Sequence, residues 1–147
     1  MKIYLDNCCY NRPFDDLSQE TIRNEATAKL FIQSLVKYKS LSLCYSFMSL
    51  FEINDSPFKS NREHILSFVS EYAYVYISAN RGNEIESLSA AIMQTGIKNK
   101  DAVHLACAMI AGCDYFITTD KRVLNYQTDR LKIVNPVDFV EIWGNTV

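Results

Sequence analysis

Residues 98–124 read KNKDAVHLACAMIAGCDYFITTDKRVL. The spacing predicts a nearly all-apolar helix from Asp101 to Ala111, stopped by Gly112, then a strand over Tyr115–Thr118. A helix that feeds a short apolar strand is part of a strand–helix–strand crossover. This unit carries one carboxylate at the start of its helix, Asp101, and another just past its strand, Asp120. Capping and turn chemistry account for either residue taken singly. A shared metal ion accounts for the two together.

The same pattern runs outward through the chain. Ile3-Tyr4-Leu5 reads as a buried strand ending at Asp6, and residues 7–18 (NCCYNRPFDDLS) as a turn-rich segment in which Asp15 and Asp16 are solvated. Ser18 is the expected N-cap of a long helix with Ile22, Ala26, Leu30, Phe31 and Leu35 inward and Glu20, Arg23, Asn24 and Lys29 outward. A strand at Leu41–Tyr45 leads through Ser46 into a helix over SFMSLFEIND. Beyond Pro57 a second helix is expected, capped by Ser60. Tyr74–Ile77 is a third strand, and the alternating Tyr72, Tyr74 and Tyr76 share one face, as core or subunit contact. An amphipathic helix from Asn83 or Glu84 to Thr95 stops at Gly96. A short helix at Asp120–Tyr126, a fifth strand at Lys132–Val134 and a final helix at Val137–Trp143 complete the chain. Strands that are apolar throughout and alternate with helices imply an α/β fold, with a parallel sheet of four to five strands between two helical layers. The expectation is a single domain over residues 1–147.

Composition narrows the function. A chain that is 48% hydrophobic and 22% charged is not disordered, and a net charge of −2 is not that of a general polyanion binder. Contact with nucleic acid therefore needs a local basic patch. No apolar run nears the ~20 residues that span a bilayer, and the N-terminus lacks a signal-peptide core, so a cytoplasmic protein with no membrane contact is expected. Of the five cysteines, Cys8 and Cys9 are adjacent and Cys44, Cys107 and Cys113 lie in apolar runs. They read as buried thiols, without the spacing of a zinc site.

In a parallel sheet, ligands bind beyond the carboxyl ends of the strands. Asp6 and Asp120 both follow strands, and Asp101 opens a helix whose preceding loop reaches the same edge. Carboxylates gathered there repel one another until a hard divalent cation such as magnesium or manganese joins them. Glu52, within the apolar helix MSLFEIND, is a fourth candidate, with an exposed helix face as the alternative. His104 shares a helix face with Asp101. It reads as a packing or hydrogen-bonding histidine, with general base as the alternative. Asp114 precedes its strand and belongs to the opposite edge.

Together IYLDNCCYNRPFDD, LFEIND and KDAVHLACAMIAGCDYFITTDKRVL resemble the PIN-domain family, nucleases related in architecture to FLAP-type nucleases and including VapC-like toxins. The resemblance implies a three-layer α/β/α PIN-like fold and a Mg2+- or Mn2+-dependent endoribonuclease acting on single-stranded RNA to leave 3′-hydroxyl and 5′-phosphate ends. It places the catalytic and metal-binding positions on Asp6, Glu52, Asp101 and Asp120, and an orienting hydroxyl on Thr118 or Thr119. Asn7 stands where many members carry Ser or Thr. Lys121 and Arg122 stand where some add a further acidic residue, which leaves one or two metals open. A cognate antitoxin and a homodimer are also implied. Arg12, Lys98, Lys100, Lys121 and Arg122 are the candidate RNA contacts, and Tyr10 and Phe14 either stack on bases or pack. The alternative is a catalytically silent PIN-like module that binds RNA or protein. A phosphatase of the haloacid-dehalogenase type would need a second Asp where Cys8 stands.

Overall fold

The computed structural model describes residues 1–10 and 18–146. Five strands, β1 (Lys2–Leu5), β2 (Ser42–Ser46), β3 (Val75–Ile77), β4 (Tyr115–Ile117) and β5 (Lys132–Val134), form one sheet in the order β3-β2-β1-β4-β5, and every pair is parallel. Around it lie α1 (Glu20–Lys37), α2 (Phe47–Asn54), α3 (Lys59–Tyr72), α4 (Gly82–Met93), α5 (Asn99–Ile110), α6 (Lys121–Leu124) and α7 (Pro136–Thr146). None of the described helices is long and apolar enough to cross a membrane.

The chain winds from β1 outward to β2 and β3, then returns to lay β4 on the other side of β1. The winding thus reverses between β1 and β4, and a crevice opens beyond their carboxyl ends. Register decides which side chains meet there. Tyr4 pairs with Cys44 on one side and Phe116 on the other, and these three point into the core beneath α4 and α5. Ile3, Leu5, Leu43, Tyr115 and Ile117 point the opposite way, against Ile32 and Val36 of α1, Ile65 and Val69 of α3 and Phe139 of α7. Two residues further on, the same register brings Asp6, Ser46 and Thr118 level with one another on the α5 face.

Several local expectations shift. α1 buries Ala26, Ala28, Lys29, Ile32 and Val36, while Leu30 and Phe31 are 48% and 41% exposed. Ala26 is inward as expected, but Leu30 and Phe31 outweighed Ala28 in the sequence pattern, although a small residue permits the close approach to the sheet. Lys29 goes inward because its Nζ donates to the Cys8 carbonyl at 2.9 Å. The N-cap of α1 is Gln19 rather than Ser18, and that of α3 is Phe58 rather than Ser60, neither with a side-chain cap bond. Tyr72 closes α3 instead of joining the third strand, and the helix after Asp120 ends at Leu124. Ser46 does cap α2, in a reciprocal capping box with Ser49. Arg12, Phe14, Asp15 and Asp16 lie outside the described residues.

α5 ends as expected. Gly112, at φ 73°, donates its N–H to Met109 and hands on to Cys113, which bonds back to Ala108, a Schellman closure. A Cβ at Gly112 would meet nothing within 4 Å, so only backbone conformation is at stake. Gly112→Ala should therefore cost about 1–2 kcal/mol, read as a lower urea midpoint at unchanged m-value. An unshifted midpoint would contradict this reading of the turn.

Candidate functional site

Asp6 leaves β1 almost completely buried, 8% exposed, and both its oxygens are engaged. Oδ1 accepts the Asn7 backbone N–H at 2.8 Å, which caps a 3₁₀ turn over Asn7–Cys9. Oδ2 accepts the Thr118 hydroxyl at 2.7 Å. That same hydroxyl accepts the backbone N–H of Asp120 at 3.1 Å. Asp120 in turn caps α6, its Oδ1 accepting the Arg122 N–H at 2.9 Å. Capping and convergence therefore coexist, because a carboxylate has about four lone-pair directions and a cap uses one.

The other two carboxylates arrive on helices. Asp101 lies in the first turn of α5, where negative charge is favourable, with Lys98 as the N-cap residue. Its carboxyl is nonetheless held above its ordinary pKa, first by burial, then by Asp6 and Asp120, with Glu52 adding to the rise and His104 opposing it. Those influences come from all three remaining acids, so the four share one neighbourhood. Glu52 is on α2, and its Oε1 accepts Nε2 of His104 at 2.7 Å. Nδ1 of His104 meets the Tyr4 hydroxyl at 2.6 Å, and Tyr4 meets Ser46 Oγ at 2.7 Å and Ser49 Oγ at 3.0 Å. Burial pushes the Tyr4 phenol well above its usual pKa, against the opposing bonds from Ser46 and Ser49. Glu52 and Asp101 line an open cleft with Asn7, Asp55, Lys98 and Lys100.

Asp6, Glu52 and Thr118 thus lie at one edge, with Asp101 and Asp120 near enough to act on one another electrostatically. The closest set of possible ligand atoms among the described residues is nonetheless that of Asp6, Glu52 and His104. Asn7 contributes its backbone N–H and one wall of the cleft. Thr119 stands beside Cys8, whose thiol pKa it helps to lower. Lys98 and Lys100 flank the cleft, whereas Arg122 lines a separate depression with Ile97 and Tyr126, and Lys121 is exposed on α6. Tyr10 is buried and packs in the core, so it is no base-stacking platform.

Sequence reasoning passed over Tyr4, Lys29 and Cys8. The signal for Tyr4 was available: it precedes Asp6 by two, so both face α5. Cys8 is half-buried, with its thiol lowered to about 7, first by a hydrogen bond from Cys9 and against the opposing effect of burial. Nothing in its composition or spacing marks it.

The donor set fits a hard divalent cation. It offers oxygen from four acids, and among the described residues no Lys or Arg forms an ion pair with Asp6, Asp101 or Asp120. One ligand atom each from Asp6, Glu52 and His104 lies within 4.8 Å of the others.

No family model and no curated protein matches the chain. Solved structures do. The crystal structure of VapBC2 from Rickettsia felis, bound to a DNA fragment from their promoter, aligns at TM-score 0.56 and 16% identity over 92% of this chain and 98% of that one. That of FitAcB from Neisseria gonorrhoeae aligns at TM-score 0.53 and 14% identity over 91% and 97%. The fold is PIN-like. Within a PIN-like fold, the strand order and the parallel pairing set the acidic crevice where the switch in winding puts it.

Two outcomes follow from the geometry. Thr118→Val strands the Asp120 N–H and one Asp6 oxygen, and should cost about 1–3 kcal/mol in urea unfolding, with Thr118→Ser close to wild type; equal stability of the valine variant would contradict the bridge. For Asp101 the folded chain holds its proton more tightly than the unfolded chain, so stability falls as pH rises from the ordinary Asp range through the raised value. Asp101→Asn removes that loss. The metal-free variant should melt above wild type at pH 7 and lose the advantage by about pH 3.

Proposed function

We propose that this chain is a metal-dependent endoribonuclease, of the VapC-like toxin kind, that hydrolyses phosphodiester bonds of single-stranded RNA in the acidic cleft. The observation that carries this reading is that Asp6 and Glu52 offer ligand atoms within 4.8 Å of each other at the switch point. Asp101 and Asp120 are close by, and Asp101 is pushed up first by burial and then by the other acids. These four would hold Mg2+ or Mn2+. Such an ion, when bound, lowers the pKa of a water and offsets charge growing on the phosphate oxygens.

The chain's own groups do the rest. Thr118 fixes the direction of Asp6, and His104 that of Glu52. Lys98 and Lys100 draw the phosphate backbone toward the cleft, a sequence-independent and salt-sensitive attraction. Arg12, Lys121 and Arg122 are further proposed RNA contacts, Arg122 from the neighbouring depression rather than the cleft wall. Phe51, the neighbour of Glu52, is 56% exposed, and Lys100 Nζ lies 5.2 Å from its ring centre. An exposed ring beside a phosphate-hydrolysing cleft suits an unstacked base, which a single strand offers and a duplex does not.

The likeness to VapBC2 supports a cognate antitoxin as partner. A homodimer belongs to the same reading, and exposed Leu30, Phe31 and Tyr38 supply apolar surface for a protein contact. Its place of action is the cytoplasm.

The test is a mixed RNA pool incubated with Mg2+, Mn2+ or EDTA, with 5′ ends mapped. Metal-dependent ends are expected, and cleavage undiminished in EDTA contradicts the mechanism. Asp6→Asn and Asp101→Asn should each lower the rate by roughly a hundredfold or more while RNA is still bound. A silent binding module would show no metal-dependent cleavage to lose. Phe51→Ala should raise KM about tenfold with kcat nearly unchanged, given stacking energies of this size; a loss confined to kcat contradicts the stacking role.

A further inference from the structure

His104 has the position of a metal ligand, since one of its ring nitrogens lies within 4.8 Å of Asp6 and Glu52 oxygens. Its hydrogen bonds give it different work. Both ring nitrogens are taken, Nε2 by Glu52 Oε1 at 2.7 Å and Nδ1 by the Tyr4 hydroxyl at 2.6 Å. A carboxylate only accepts, so Nε2 carries a hydrogen directed at Glu52 and has no lone pair for a cation.

The partner at Nδ1 is itself fixed. Ser46 and Ser49 accept each other's backbone N–H, at 3.4 and 3.2 Å, within the capping box of α2. Each hydroxyl is thereby free to turn its proton onto the Tyr4 oxygen. Two donated protons fill that oxygen's acceptor positions and leave the phenolic hydrogen for Nδ1. The Tyr4 ring is clamped as well, stacked on Phe116 at 5.3 Å and edge-on to His104 at 5.6 Å. Tyr4, Ser46, Ser49 and His104 are all buried, whereas Glu52 reaches the cleft.

We propose that His104 is a positioning residue: it ligates no metal, and it holds Glu52 in the orientation in which that carboxylate binds one. Tyr4, seated on Ser46 and Ser49, keeps the imidazole turned for this task. The chain joins β1, α2 and α5 through side chains far apart in sequence, so Glu52 is set by the sheet as well as by its own helix. One Glu52 oxygen is spent on the imidazole, and the second is left for the ion. This inference rests on the cleft's binding a divalent cation, and it adds how one ligand is aimed.

The experiment is Mn2+ calorimetry on the full chain, comparing wild type with His104→Ala, His104→Gln, Tyr4→Phe and Asp6→Asn. A glutamine amide can place an N–H where the Nε2 hydrogen stands. His104→Ala should weaken Mn2+ binding about 10–100-fold, the usual effect of losing a residue that orients a ligand, and His104→Gln should recover most of it. Tyr4→Phe should fall between them, and Asp6→Asn should lose binding outright. A glutamine variant as weak as the alanine variant makes His104 a ligand and overturns the proposal, as does an alanine variant that binds like wild type. Wild type that binds no Mn2+ overturns the metal reading of the cleft itself.

Wild-type protein supplies a readout that does not depend on the folding of variants. The chain has two histidines, His64 and His104, of which His64 is exposed. In ring 15N spectra, His104 Nε2 should stay protonated, and Nδ1 unprotonated, as Mg2+ is added. Loss of the Nε2 hydrogen on adding Mg2+ would overturn the positioning role.

Discussion

The Thr118 hydroxyl donates to Asp6 and accepts from the Asp120 backbone, and so ties the end of β1 to the end of β4 with one oxygen. These strands neighbour each other only because the winding reverses between them. The bridge seats the Asp6 carboxylate against the backbone of Asp120, although the two follow separate strands. With it, Asp6 is almost wholly removed from water, and a position that burial and like charge both oppose is maintained. The helices then complete a negative cleft on the α5 face of the sheet.

Why the fold tolerates this arrangement is visible in the polar accounting. Asp6 and Asp120 each satisfy a backbone N–H. Glu52 is hydrogen-bonded through a buried chain that ends in the cap of its own helix. What remains is like charge: the Asp101 carboxyl is raised above its ordinary pKa by burial and then by the three other acids, against the opposing effect of His104. A site satisfied in hydrogen bonds and rich in carboxylate oxygen suits a small hard cation.

Much of this was legible in the chain. Short apolar strands alternating with helices specified a parallel sheet, and the rule that ligands gather at carboxyl ends placed Asp6 and Asp120 together. Ser46 marked the entry to α2, and the structure adds Ser49 as its reciprocal capping partner. The face of α1 was only partly legible: Ala26 was placed inward, but Ala28 carries too little hydrophobic weight to compete with Leu30 and Phe31, and Lys29 looks solvated until its carbonyl partner 21 residues away is known. The relay from Tyr4 to Glu52 was hidden for the same reason. It joins positions 4, 46, 49, 52 and 104, and only the strand register brings them level.

The proposed function depends on a divalent cation being held by acids drawn from distant parts of the chain. Its most direct test is a crystal grown or soaked with Mn2+, with anomalous differences recorded at a wavelength where manganese scatters strongly. The account requires a peak in the cleft within coordination distance of Asp6 and Asp101 oxygens, with Glu52 or Asp120 completing the shell directly or through water. A cleft free of anomalous density in a crystal that binds Mn2+ elsewhere would contradict it.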